Sequence, residues 1–108
     1  MKKITKRSDF DAELAAGDKL ALFYSAYCPF CQMFLPAFEK QAKAAPGTFV
    51  LVCTDDLPEL EDLFAVEVVP TALFFRKAKL ASRLDGALGR GLSEEGLTAF
   101  AKACRCAK

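Results

Sequence analysis

The chain has 108 residues, 53% of them hydrophobic and 27% charged, with ten phenylalanines, which describes one packed globular domain rather than a disordered or fibrous chain. Fifteen Lys and Arg against fourteen Asp and Glu leave a net charge of +1, so no global attraction to nucleic acid is built in. Histidine is absent, which removes the usual general base and the commonest nitrogen ligand for zinc and leaves cysteine as the one strong nucleophile.

The N-terminal segment Met1 to Arg7 is basic, and Lys2 to Thr5 is the weakest of the candidate strands. Ser8 and Asp9 stand where a secretory leader needs an apolar stretch, and they are the caps expected for a short helix reaching Ala16, with Gly17 in the left-handed position that ends it. Lys19 to Ser25 is a nearly continuous apolar run of strand length, as in a strand covered on both faces. From Pro29 to about Ala45 the apolar residues Phe34, Leu35, Phe38 and Ala42 make one helical face, with Pro36 inside as a kink and Pro46-Gly47 as the stop. Thr48 to Cys53 predicts a second buried strand and Leu57 to Phe64 a short helix entered at Pro58. Thr71 to Phe75 is a third strong strand, a polar turn spans Lys77 to Lys79, and Leu80 to Leu84 alternates like an exposed edge. Ser93 with Glu94 and Glu95 opens a final helix whose apolar stripe is Leu97, Phe100, Ala101 and Cys104. This order predicts a single α/β domain over residues 1–108, with a central sheet of four to five strands and helices on both faces. No apolar run approaches the ~20 residues of a membrane span, so a cytoplasmic protein without membrane association is expected.

Five cysteines are an odd number, which fits a reducing compartment with one working pair better than a disulfide framework. Tyr27-Cys28-Pro29-Phe30-Cys31 falls at a strand-to-helix junction. Two cysteines three apart at a helix start face the same side and can close a small disulfide ring. The first of them also meets unpaired backbone N–H groups and the positive end of the helix dipole, which favour thiolate character. Cys28 is therefore the candidate nucleophile and Cys31 the candidate resolving thiol, with Tyr27 and Phe30 as an apolar rim for substrate. The competing reading of Cys-x-x-Cys is half of a zinc site, which needs further ligands from Cys53, Cys104 or Cys106. A final helix running away from the Cys28 end sets Cys104 roughly 16 Å off, at ~1.5 Å per residue. Cys104 continues an apolar stripe and Cys53 alternates within a buried strand, so both are expected as core residues, and Cys106 as exposed. No metal and no cofactor are assigned.

Across roughly Asp18 to Ala103 the chain resembles the thioredoxin family. The residues that carry the resemblance are Cys28 and Cys31 after the strand Leu20 to Tyr24, Pro36 eight after Cys28, Asp55 and Pro58 after the next strand, Val69-Pro70-Thr71, and Asp85-Gly86-Ala87. The resemblance implies a thioredoxin fold, a cis bond before Pro70, and a thiol–disulfide oxidoreductase. It further implies an extended substrate that pairs with the Val69 backbone across a surface of Tyr27, Pro29, Phe30, Val69, Pro70 and Gly86. Its implied partners are protein disulfides and a separate thioredoxin-reductase-like electron donor, with the chain a monomer.

Two departures matter. The dipeptide Pro29-Phe30 is closer to that of glutaredoxins, although Asp85 to Arg90 and Val68-Val69-Pro70 do not reproduce the glutathione-binding signatures. Leu22 and Leu51 stand where most thioredoxins bury an aspartate and a lysine, so the proton acceptor for Cys31 is not assigned. A protein-disulfide reductase is the leading expectation. Isomerase activity, a glutathione-linked glutaredoxin, and a zinc-holding or redox-inert module are the alternatives.

Overall fold

The computed structural model describes residues 2–45, 47–87 and 91–106, the side chains of 105 and 106 excepted. Its elements run β1 (Lys2–Ile4), α1 (Arg7–Ala16), β2 (Lys19–Tyr24), α2 (Pro29–Ala44), β3 (Phe49–Cys53), α3 (Pro58–Leu63), β4 (Thr71–Arg76), β5 (Lys79–Leu84) and α4 (Glu94–Cys106). The strands form one mixed sheet in the order β1-β3-β2-β4-β5. β3 is parallel to both β1 and β2, while β2–β4 and β4–β5 are antiparallel. Every residue of β2 is buried, as a central strand covered on both faces requires.

Alternation along the strands sends side chains to two separate cores. On one face Phe10 and Leu14 of α1 and Leu60 of α3 pack on Ala21, Phe23, Val50, Val52, Leu73 and Phe75. On the other, Phe34 and Phe38 of α2 and Leu97 and Ala101 of α4 pack on Leu20, Leu22, Phe49, Ala72 and Phe74. The expected two-faced α/β architecture is present, with β1 as the fifth strand, in parallel register with Val50 to Val52.

Two local expectations are corrected. α1 starts at Arg7 with Lys6 at its N-cap and no side-chain cap, so Ser8 and Asp9 lie inside its first turn. Gly17 ends it at φ 157° and ψ −171°, an extended glycine conformation rather than the left-handed helical one. The helix is instead held by tertiary burial of Phe10 and Leu14. By contrast Ser93 does cap α4, its Oγ accepting from the Gly96 N–H at 3.0 Å. The turn between β4 and β5 places Lys77 at φ 53° and Ala78 at φ 65°, the left-handed pair that a two-residue hairpin turn demands. Pro46 and the stretch Leu88-Gly89-Arg90 lie outside the described residues.

Candidate active site

The cysteine motif lies where β2 passes into α2, and its geometry follows from that junction. Cys28 is the N-cap of α2 with extended backbone, and its Sγ accepts from the Cys31 N–H at 3.4 Å. Pro29 occupies the first helical position, where its missing N–H would have no helical partner anyway. Cys31, one turn in, is fully buried and packs with Tyr24 and Cys53, with Cys28, Leu51 and Val69 against the group. Burial pushes the Cys31 thiol up to about 12, and the Cys28 side chain and the negative charge of Asp55 push the same way, against a Ser25 N–H donated to its Sγ at 3.5 Å. The two thiols therefore sit in unlike surroundings, one partly open to solvent and one sealed.

The turn before Cys28 is braced from the segment that follows β3. The Asp55 carboxylate accepts from the Ala26 N–H at 2.8 Å and the Ser25 hydroxyl at 2.9 Å, and these two donors hold it below the ordinary carboxylate range. Ser25 Oγ accepts in turn from the Tyr27 N–H at 3.2 Å, and the Gln32 side-chain amide donates to the Ala26 carbonyl at 3.2 Å. The cluster behind them contains Cys53, whose thiol donates to Asp55 at 3.7 Å and is pushed up by burial. The strand pattern placed Cys53 in the core; it is there, and it also borders Cys31. Cys104 packs in the core beneath α2 and α4 at the other end of the apolar stripe, and burial raises it as well. The side chain of Cys106 lies outside the described residues.

The second wall comes from the segment before β4. The Val69–Pro70 bond is cis, as the resemblance implied, and the Cys28 thiol donates to the Val69 carbonyl at 3.6 Å across 41 residues of sequence. Thr71 Oγ1 donates to the Val68 carbonyl and accepts from the Gly86 N–H at 3.0 Å, which ties this segment to the end of β5. A Cβ at Gly86 would fall 2.2 Å from the Pro70 carbonyl oxygen, so only glycine fits there. Flanking the cysteines in the chain, Tyr27 is 88% exposed, Phe30 36% and Met33 76%. Of the residues expected to line the substrate surface, Tyr27, Pro29 and Phe30 flank Cys28 in the chain, Val69 meets it through its carbonyl, and Gly86 packs on Pro70 next to Val69.

Leu22 and Leu51 are direct register partners on β2 and β3, so the two positions expected to lack a charge pair do lie side by side. Among the described residues, no group of three or more Cys, Asp and Glu is placed to hold a metal ion. The sequence reading did not place Ser25, Thr71 or Gly91 at the site. Nothing in the local pattern marks Ser25, and Thr71 enters there only as the last residue of Val69-Pro70-Thr71, because their roles are hydrogen bonds across 30 and 15 residues of sequence.

Three comparisons bear on this arrangement. The thioredoxin family model matches residues 1–102. The chain is 32% identical over 88 residues to the thioredoxin of Mycoplasmoides gallisepticum, covering 80% of this chain and 88% of that one. It is 30% identical over 88 residues to thioredoxin-2 of Saccharomyces cerevisiae, covering 79% and 85%. In structure it resembles a poplar thioredoxin h, with a TM-score of 0.86, 19% identity and coverage of 99% and 97%. The oxidised thioredoxin of Plasmodium falciparum matches at a TM-score of 0.82, 19% identity and coverage of 95% and 96%. The structural likenesses speak for the fold.

Proposed function

The chain belongs to the thioredoxin family and is a thiol–disulfide oxidoreductase; from that premise we propose that it works as a reductase of protein disulfides, with Cys28 as nucleophile and Cys31 as resolving thiol. The observation that carries this is the asymmetry of the pair: Cys28 borders solvent at the start of α2, and Cys31 is buried with its thiol pushed up to about 12.

The Cys28 thiolate attacks one sulfur of a substrate disulfide, forming a mixed disulfide as the second substrate sulfur leaves as a thiolate. Cys31 then loses its proton and attacks the Cys28 sulfur, which expels the first substrate thiolate and closes the Cys28–Cys31 disulfide. Substrate has gained two electrons and the protein has lost them. A separate thioredoxin-reductase-like donor returns them. A high resolving-thiol pKa keeps Cys31 protonated until Cys28 is engaged, so the reduced pair holds one reactive sulfur at a time.

Substrate lies as an extended segment beside the Val69 backbone, over Tyr27, Phe30 and Gly86. The support is that the Val69 carbonyl accepts from the Cys28 thiol and that Gly86 packs directly on the Pro70 carbonyl beside it. A reducing cytoplasm as the working compartment is supported by the odd number of cysteines, and the protein acts as a monomer in this reading.

Insulin reduction with a thioredoxin reductase and its reductant tests the assignment. Cys28→Ser abolishes turnover, whereas Cys31→Ser accumulates a protein–substrate mixed disulfide detectable by mass. Full activity in Cys28→Ser would sink the assignment, and turnover with glutathione as sole reductant would move it to the glutaredoxin reading.

A further inference from the structure

Between the two walls of the active site sits Gly91, which is buried and has φ +69°. A Cβ built on it would lie 3.0 Å from Cβ of Phe30, 3.5 Å from its Cγ and 3.6 Å from Cδ of Pro70. Ordinary carbon–carbon contact is about 3.5–4.0 Å. The first distance decides the matter, because Phe30 Cβ is bonded to the backbone of the first turn of α2 and no side-chain rotation moves it away. Relief would require the Cys28–Cys31 turn to shift, or the Gly91 backbone to retreat.

That backbone is tied down. The Gly91 N–H donates to the Ala87 carbonyl at 2.8 Å and its carbonyl accepts from the Ala87 N–H at 2.9 Å. Ala87 follows Gly86, which is itself pressed against the Pro70 carbonyl. The chain therefore leaves Pro70 at one glycine and returns to Pro70 and Phe30 at another, bridging the two halves of the site.

We infer that Gly91 is a positioning residue for disulfide exchange: its bare backbone sets the gap between the Pro29-Phe30 turn and Pro70, closing that flank and leaving extended substrate the Val69 side. The second half of this statement rests on the docking reading above. Gly47 supplies the control, since it has φ +89° with nothing within 4 Å of a Cβ, so Gly47→Ala imposes backbone strain without contact.

The experiment compares Gly91→Ala with Gly47→Ala in the full chain by thermal unfolding, by insulin reduction, and by the rate at which the reduced protein attacks a small aromatic disulfide. Both variants lose stability. Only Gly91→Ala loses insulin kcat/KM, by about 10- to 100-fold for a displacement under an ångström, mostly in KM and with a much smaller change toward the small disulfide. Adding Phe30→Gly, which removes the contacting Cβ, restores part of the loss relative to Phe30→Gly alone. A Gly91→Ala protein matching Gly47→Ala in insulin turnover overturns the inference, and so does an equal fall toward both disulfides. If Gly91→Ala fails to fold, the Phe30→Gly/Gly91→Ala protein decides: folding supports the contact, and failure assigns the effect to backbone strain and overturns it. Tyr27→Ala reads the docking surface separately; unchanged insulin turnover there defeats the docking reading and leaves the spacing role of Gly91 to its own result.

Discussion

The two faces of the sheet are built from the same strands but do different work. On the α1/α3 face, Phe10, Phe23, Phe64 and Phe75 form a ring cluster of four edge-to-face pairs and one tilted pair, with paired centroids 5.2 to 6.4 Å apart, and that core holds no cysteine. On the α2/α4 face the same strands carry Leu20, Leu22 and Phe74 under the helix capped by Cys28, and Cys31 on the buried side of that helix packs in an adjoining group with Tyr24 and Cys53. The difference teaches that stability and reactivity are separable here. One face anchors the sheet; the other sets how far a thiol is withdrawn from water.

Substitutions on each face sharpen that division. Leu22→Asp puts an unpaired carboxylate at a fully buried position on the α2 face, with an expected loss of about 3–5 kcal/mol in denaturant unfolding. Adding Leu51→Lys at its register partner recovers part of the loss, and no recovery in the double variant would show that the two positions do not communicate. Phe10→Ala on the opposite face costs a similar ~3–5 kcal/mol, yet its insulin turnover at 25 °C, per folded molecule, stays at the parent value. A fall in its kcat/KM would break the comparison.

Gly86→Ala has a smaller expected cost, about 1–3 kcal/mol from overpacking against Pro70, together with weakened substrate turnover because the Val69–Pro70 wall must yield. In the reduced protein, Cys31 carries a pH signature. Both native and unfolded chains hold its proton below the ordinary thiol value of 9.0, while between there and about 12 only the native chain does. Its contribution to stability is therefore present at neutral pH and is lost as pH rises through that window. Urea midpoints of the parent should fall across it, with a shallower fall in Cys31→Ala. Smallest is the hairpin, which belongs to neither face: replacing Lys77-Ala78 by Asn-Gly relieves two left-handed residues, adding about 1 kcal/mol with no change in exchange rate.

The strands and helices were legible because their apolar spacing is a local property, and so was the Cys28-Pro29-Phe30-Cys31 turn, whose chemistry depends on neighbours three residues apart. α1 was misplaced at its start because no cap holds it, and burial of Phe10 and Leu14 overrides the Ser8 signal. Cys53 was legible as core but not as a neighbour of Cys31, since periodicity says which face a residue takes and not which helix end covers it.

The sequence by itself determined the alternation of elements, the two-sided burial of β2 and a redox-capable cysteine pair at a helix start, because each follows from hydrophobic period, turn chemistry and spacing within a few residues. Only the tertiary structure decided what surrounds the cysteine turn: the Val69 carbonyl at Cys28, the Asp55 brace on Ser25 and Ala26, and Gly91 between Phe30 and Pro70. These contacts join segments separated by 21 to 61 positions. Their distances exist only once the sheet order β3-β2-β4 has brought the ends of three strands to the start of α2.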